Sequence, residues 1–273
     1  MRTRRSLLNG HVLAVLENEW AQLIRNKVVI FTTLVPPMLL VMLAVVVLVL
    51  ASVIEVDERE LAGLARRGIP GLDGVRLSGT DTLRATLLNP FLVLFQVIPL
   101  IVPITIAAYT IVGEKQQRSL EPLLATPIRT WELLVAKALS AAIPGILSTW
   151  WGFAIFLFAG KLIASDSVYN NVLLSPTWVL SIVLIAPLLT LLAVGLGVVI
   201  SSRVKEPSSA QQLGSLVILP VIGMLVAQVA GYVEVSASFI VGVAVGVALL
   251  DVALLFLSIK LFHREEILTN WTS

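Results

Sequence analysis

Long runs of apolar residues dominate the chain, and shorter stretches of charged and polar residues separate them. Each run is long enough to cross a bilayer, which takes about 20 residues of α-helix. Backbone groups in hydrocarbon must bond to one another, so the runs are expected to be helical. The pattern predicts an all-α, polytopic membrane protein with six transmembrane helices, at about 28–54, 87–112, 133–164, 178–200, 212–233 and 237–260. The last two runs are separated by only a few residues around Glu234, so a re-entrant pair is the alternative there.

The residues before the first run, 10–27, have a different pattern, with apolar residues on one side of a helix and polar residues on the other. The apolar side holds Val12, Leu13, Leu16, Trp20, Leu23 and Ile24, and the polar side holds Glu17, Asn18, Gln22, Arg25 and Asn26. Tryptophan and basic residues suit the headgroup region. We expect an amphipathic interfacial helix that lies flat on the inner surface, either as an anchor for the first span or as a surface for a partner.

The placement of lysine and arginine predicts which side each loop faces. If residue 1 is inside, thirteen basic residues flank the spans on the cytoplasmic side and six lie outside. The inner set is Arg2, Arg4, Arg5, Arg25, Lys27, Lys115, Arg118, Arg129, Lys137, Arg203, Lys205, Lys260 and Arg264, and the outer set is Arg59, Arg66, Arg67, Arg76, Arg84 and Lys161. Both termini are therefore predicted to be cytoplasmic.

Composition narrows the class of protein further. Of the 273 residues, 58% are hydrophobic and 13% are charged, a balance that a soluble domain could not cover with polar surface. Six spans leave no room for a second module, so residues 1–273 are predicted to form a single transmembrane domain. The net charge is only +2, and the basic residues are scattered over the loops rather than gathered on one face, which argues against nucleic acid as a partner. Without cysteine, disulfides and thiolate metal sites are excluded.

The inner loop 113–131 contains an alternation of charged residues and leucines that a plain connector would not need. On a helix, Glu114, Arg118 and Glu121 are four and three residues apart and share one face, which predicts a ridge of ion pairs. Thr126 and Pro127 then end that helix and turn the chain into the third span.

This segment resembles the permeases of type-2 ATP-binding-cassette (ABC) exporters. The resemblance rests on Gly113-Glu114-Lys115, on Glu121, on the turn Leu123-Leu124-Ala125-Thr126-Pro127, and on Arg129, Trp131 and Lys137. It extends more loosely over the flat first helix, the six spans and the second inner loop at 201–212, while the outer loop is smaller than in many relatives.

The resemblance implies a permease half that pairs with a second permease subunit, in a homo- or heterodimer, and with cytoplasmic ABC ATPase subunits. Loop 113–131 would be the coupling loop, with Glu114, Arg118, Glu121 and Arg129 at the contact with the ATPase. It implies export of an unidentified substrate by alternating access, in a multi-pass protein of a prokaryotic plasma membrane. A merely solvated loop is the alternative interpretation of these charges.

No motif for nucleotide chemistry occurs in the sequence. The phosphate-binding pattern G-x-x-x-x-G-K-[ST] is absent, as are H-E-x-x-H and G-x-S-x-G. We therefore expect no enzyme activity, no metal and no cofactor in this chain, and ATP with Mg²⁺ in the partner ATPase. The two histidines, His11 and His263, are expected at the surface.

Asp251 is an acid deep inside the sixth apolar run. An aspartate there costs about 2.5–3.5 kcal/mol on insertion scales, so it should face protein or water. It could contact a cation or polar substrate, or it could form an interhelical hydrogen bond with Gln228 or Gln96. Gly242 and Gly246 in the same run have the spacing of closely packed helices and are expected to pack against one neighbouring helix.

Two rival functions follow from these features. One is an ion-coupled secondary transporter in which Asp251 carries a proton or sodium ion without an ATPase. The other is a noncatalytic membrane scaffold. Secondary transporters usually contain internal repeats, and the two halves of this chain show none, which favours the ABC permease.

Overall fold

The computed structural model describes residues 16–54, 79–113 and 130–261, together with Asp57, Arg59, Gly63 and Leu77. Within these residues the chain is helical and has no strand. Six helical segments are long and apolar enough to cross a membrane, which confirms the predicted number. In chain order, spans 1 to 6 are Lys27–Val53, Thr80–Thr110, Val135–Ile163, Pro176–Ser201, Pro207–Val229 and Ala237–Phe256.

Three spans belong to single α-helices and three are interrupted. The continuous helices are Lys27–Val53, Thr130–Ile163 and Ala237–Leu261. Span 2 joins the α-helix Gly79–Leu94, a 3₁₀ turn Phe95–Val97, the α-helix Ile98–Ala107 and a π-helical turn Ala108–Val112. Span 4 joins Pro176–Leu180, a π-helical turn Ser181–Ile185 and Ala186–Arg203. Span 5 joins Pro207–Ser215 and Ile218–Val229, and the short segments Asp166–Val168 and Tyr169–Leu173 connect spans 3 and 4.

Some predicted boundaries were wrong. The helix of span 2 begins at Gly79 rather than at 87, because the polar residues that precede the apolar run are also helical. Span 5 begins at Pro207 rather than at 212, with proline at the first helical position, where its missing N–H costs nothing. The helix predicted to run to 27 covers 16–23 in the described residues and then breaks, because Asn26 caps span 1 by accepting from the backbone N–H groups of Val28 and Val29.

Span 2 forms the centre of the bundle. In its most apolar stretch 83% of the residues are buried, against 11% in span 5. It packs against spans 1, 3, 4 and 5, while span 6 packs on span 4. Helix 16–23 lies against span 3, which also contacts span 1.

The packed interior of spans 2, 3 and 4 is held by aromatic rings and by hydrogen bonds to an irregular turn. Phe95, Phe153, Phe156 and Trp178 form one cluster, with ring centroids 5.3–6.3 Å apart. The π-helical turn of span 4 exposes backbone carbonyls beside this cluster. Gln96 Nε2 donates to the carbonyl of Ser181 at 3.1 Å, and Trp150 Nε1 donates to that of Ile182 at 3.2 Å.

Spans 5 and 6 are two separate helices joined by a short turn. Gly231 has a φ of +78°, and its N–H donates to the carbonyl of Gln228 while the N–H of Tyr232 donates to that of Ala227. This bonding pattern ends a helix, and glycine adopts the required conformation without strain. The turn therefore replaces the re-entrant pair considered for this region. The side of the membrane on which each end lies stays a prediction from the basic residues.

Candidate functional site

The predicted coupling residues Glu114, Arg118, Glu121 and Arg129 lie outside the described residues. The described chain ends at Gly113 on one side of the segment 114–129 and resumes at Thr130 on the other. The structure therefore shows how the bundle holds the two ends of this segment, and both ends are anchored by buried contacts.

At the first end, span 2 closes with the π-helical turn Ala108–Val112. Ala108 and Val112 pack in a small buried cluster with Ala210 from span 5, and Ile200 and Val204 lie against it. A second contact lies one turn deeper, where Gln211 Nε2 of span 5 donates to the hydroxyl of Thr105 at 3.1 Å. A π-helical turn inserts one residue into a helix and is often found at functional positions. The described end of span 2 thus lies at a point that spans 2, 4 and 5 share.

At the second end, a buried ion pair joins span 3 to helix 16–23. Lys137 Nζ lies 2.7 Å from Glu19 Oε1, and the two side chains are only 4% and 5% exposed. Such a pair must be close and well bonded to offset the cost of removing both charges from water. The movement of span 3 near its first turns is therefore linked to helix 16–23.

The sequence analysis missed this pair. It assigned neither partner to the site, although Glu19 lies three residues after Leu16 and four before Leu23, on the same face as these two buried leucines. This position could have indicated a buried ion pair, because an acid among core leucines requires a partner. The partner itself is 118 residues away along the chain.

Asp251 faces protein, as its depth in the membrane required. It shares a helical face with Ile240, Ala244 and Val247, which are buried, and this face packs against span 4. Both carboxyl oxygens of Asp251 are inaccessible and have no hydrogen-bond partner among the described residues.

The expected hydrogen bond from Asp251 to Gln228 or Gln96 was wrong. Gln228 Nε2 instead donates to the backbone carbonyl of Asn89 at 3.2 Å, and Gln96 donates to Ser181. In the part of the chain that the structure describes, the side-chain oxygens of both glutamines lack a partner as well. The amide groups of the two glutamines therefore bond to backbone carbonyls, and that of Gln96 also to the Ser181 hydroxyl, rather than to Asp251.

The expectation that Gly242 and Gly246 pack a neighbouring helix was also wrong for the described part of the chain. Both glycines are exposed, and a Cβ added at either would meet no atom within 4 Å. Close helix approach occurs at other glycines. An added Cβ at Gly152 would lie 2.7 Å from Cβ of Pro37, and one at Gly214 would lie 2.5 Å from Cγ2 of Ile104.

The six apolar helices define a class, that of multi-pass α-helical membrane proteins, and the two described ends that flank residues 114–129 are each held by buried contacts. No group of three or more His, Cys, Asp or Glu side chains that could hold a metal ion occurs in the described ranges. The sequence matches the family described as ABC-2 family transporter protein over residues 13–271, nearly its whole length, and the chain belongs to this family. No curated protein matches the chain.

Membership confirms the resemblance drawn from the segment 113–131 and makes the chain a permease subunit of an ABC transporter. Membrane subunits of this family generally work with ABC ATPases and form dimers, and they are usually not catalytic themselves.

Proposed function

We propose that this chain is one permease half of an ABC exporter in a prokaryotic plasma membrane, paired with a second permease subunit. A separate ATPase, which binds ATP and Mg²⁺, supplies the energy for alternating access. The segment 114–129 seats on that ATPase, with Glu114, Arg118, Glu121 and Arg129 as the contact residues. The observation that carries the proposal is the anchoring of this segment between two differently attached spans in a chain of the ABC-2 family.

The described contacts support force transfer through this segment. One end continues into span 2, the most buried span, whose inner end is held by spans 4 and 5. The other end continues into span 3, to which helix 16–23 is fastened by the Glu19–Lys137 pair. Because packed helices move as rigid units, a displacement of the segment would reach both groups of helices.

The experiment uses the full chain purified together with its ATPase subunit. Replacing Glu114 and Glu121 with alanine should reduce recovery of the ATPase with the permease and its ATP turnover in liposomes. Glu234→Ala is the matched control, because Glu234 is an exposed acid at the opposite end of the bundle, between spans 5 and 6. Unchanged recovery and unchanged turnover in the double variant would sink the proposed contact.

Ion-coupled transport is a second candidate function, and the lack of a partner for Asp251 among the described residues favours it. In that case Asp251 would lie on a path for a cation or a polar substrate between spans 4 and 6. An Asp251→Asn variant that transports normally at every pH would exclude this role. Uptake driven by an ion gradient alone, without an ATPase, would instead favour the second candidate over the first.

A further inference from the structure

A groove of about 800 Å³ opens between helix 16–23, span 1 and span 3. Trp20 and Ile24 lie at one end of it, Val29 and Leu34 form the wall on span 1, and the wall on span 3 runs from residue 143 to Ala154. Spans 1 and 3 meet closely at Pro37 and Gly152, and every groove residue of span 1 precedes this contact. The groove is therefore open beside helix 16–23 and closed off on span 1 at the contact.

The groove offers hydrocarbon and almost no free polar group. The hydroxyls of Thr33 and Ser148 donate to carbonyls of their own helices, at 2.8 Å and 3.0 Å. The indole N–H of Trp150 donates to the carbonyl of Ile182. Among the lining residues, Trp20 keeps an indole N–H without a partner in the described structure, and it lies at the end nearest helix 16–23. Such walls suit an alkyl chain and not a polar molecule.

The length of the groove matches one leaflet. The wall on span 3 extends from residue 143 to residue 154, and these eleven helical steps of 1.5 Å give a length of about 16 Å. Half of the hydrocarbon thickness of a bilayer is about 15 Å. An acyl chain of the leaflet beside helix 16–23 could therefore lie along the whole groove.

Two cations flank the open end. Arg25 follows Ile24, and Lys27 begins span 1 two residues before Val29. Both side chains are exposed, and neither has an ion pair or hydrogen bond with another described residue. The exposed acid of helix 16–23, Glu17, is seven residues before Ile24, about 10 Å along a helix axis. Positive charge therefore dominates the mouth of the groove, where a lipid phosphate would lie.

We propose that this groove binds an anionic phospholipid of the surrounding leaflet, with an acyl chain between spans 1 and 3 and the headgroup at Arg25 and Lys27. An apolar channel of leaflet length, with two cations at its mouth that have no partner among the described residues, is complementary to a negatively charged amphiphile. The bound lipid would join helix 16–23 to span 1, whereas the Glu19–Lys137 pair joins it to span 3. This site does not depend on the direction of transport or on the ATPase.

The test is native mass spectrometry of the full chain in detergent, with phosphatidylglycerol and phosphatidylcholine of identical acyl chains. The unmodified chain should retain phosphatidylglycerol in preference. The double variant Arg25→Gln with Lys27→Gln should bind it about 30-fold more weakly, which corresponds to about 1 kcal/mol for each interfacial cation. Arg203→Gln is the control, because Arg203 is an exposed cation at the end of the span 4 helix and away from the groove.

A second variant tests the acyl chain independently of the charge. Ala154→Phe fills the end of the groove from an exposed helix position, so it should fold, and it should weaken binding of both lipids. Ala253→Phe makes the same change on an exposed position of span 6 and should leave binding unaltered. Equal phosphatidylglycerol binding in the charge variant, or in the groove variant, would overturn the proposal. So would a lipid-free dimer that Ala154→Phe dissociates, because a second copy would then cover the groove.

Discussion

Removing the buried cation of the Glu19–Lys137 pair tests whether helix 16–23 is held to span 3 by that pair. In the variant Lys137→Met, Glu19 keeps its carboxylate in a position where only 5% of the side chain is exposed. Breaking a buried pair by deleting one partner costs about 3–5 kcal/mol, because the remaining charge is left without compensation.

The cost of breaking the pair is to be compared with the stabilisation that helix 16–23 gains from its buried leucines. Leu16 and Leu23 are 9% and 7% exposed, and burying a leucine contributes about 1.5–3 kcal/mol, so the two together contribute about 3–6 kcal/mol. The penalty in Lys137→Met is of the same size. We therefore expect helix 16–23 to detach from span 3 for a large fraction of the time, while the six spans stay folded.

Hydrogen exchange followed by mass spectrometry measures this directly in the purified full chain. Peptides covering 16–24 should exchange much faster in Lys137→Met, and peptides from Ile98–Ala107 in the centre of span 2 should not change. Glu17→Gln is the matched control, because Glu17 is an exposed acid on the same helix.

A double-mutant cycle separates the pair from other effects of the substitution, since Lys137 takes part in at least one other interaction. The apolar double variant, Glu19→Leu with Lys137→Met, removes both charges and should restore slow exchange of 16–24. Unaltered exchange in Lys137→Met would refute the reasoning. Additive effects of the two single substitutions would show that the two charges do not act on each other.

Three further predictions concern single positions. Asp251→Leu should raise the midpoint of thermal unfolding, because it removes an inaccessible carboxyl without a partner among the described residues and so adds about 1–3 kcal/mol of stability. A lower midpoint would reveal a stabilising partner. Gly152→Ala should lower this midpoint through a loss of about 1–3 kcal/mol of stability, because the added methyl would lie 2.7 Å from a proline of span 1. Gly246→Ala has open space and should be neutral or slightly stabilising, so equal effects of the two substitutions would contradict the packing. Lys161 lies 2.6 Å from Asp166, and its hydrogen bond and charge hold the pKa of the Asp166 carboxyl below its ordinary value. Any stability from this exposed pair is therefore present above the ordinary aspartate range and is lost as the pH falls through the lowered pKa. The midpoint difference between the unmodified chain and Asp166→Asn should be small at pH 7 and vanish in acid, and a difference that grows in acid would contradict this sign.

The number of spans could be predicted because the bilayer imposes a length on each apolar run. The ends of the spans depend on contacts that hydropathy does not contain. Span 5 begins in polar residues, among them Ser208 and Gln212, because Gln211 of this segment bonds to Thr105 in span 2 and Gly214 packs against Ile104. A hydropathy pattern assigns such residues to a loop.

The contacts inside the bundle could not be predicted from the sequence because their partners are far apart along the chain. The π-helical turn at Ser181–Ile185 is stable where side chains from other spans supply donors, and these are Gln96, 85 residues away, and Trp150, 32 residues away. The partner of Glu19 is equally remote. In contrast, the spacing of Gly242 and Gly246 predicted a close helix contact that the described residues do not contain, because spacing alone does not tell whether another helix lies beside that face.

Helix 16–23 is attached in two ways, by the Glu19–Lys137 pair to span 3 and along the groove to spans 1 and 3. Lys137 lies seven residues after the start of its helix at Thr130, so the pair acts about 10 Å along span 3 from the segment 114–129. A movement entering span 3 at that end reaches helix 16–23 before it reaches the contact of Gly152 with Pro37, which is 15 residues further along the span. Between these two attachment points lies the groove, whose walls are the same helix and the same two spans. A lipid that fills the groove would therefore resist any change in the distance between spans 1 and 3, and the strength of lipid binding should set how easily the ends of these spans beside helix 16–23 separate.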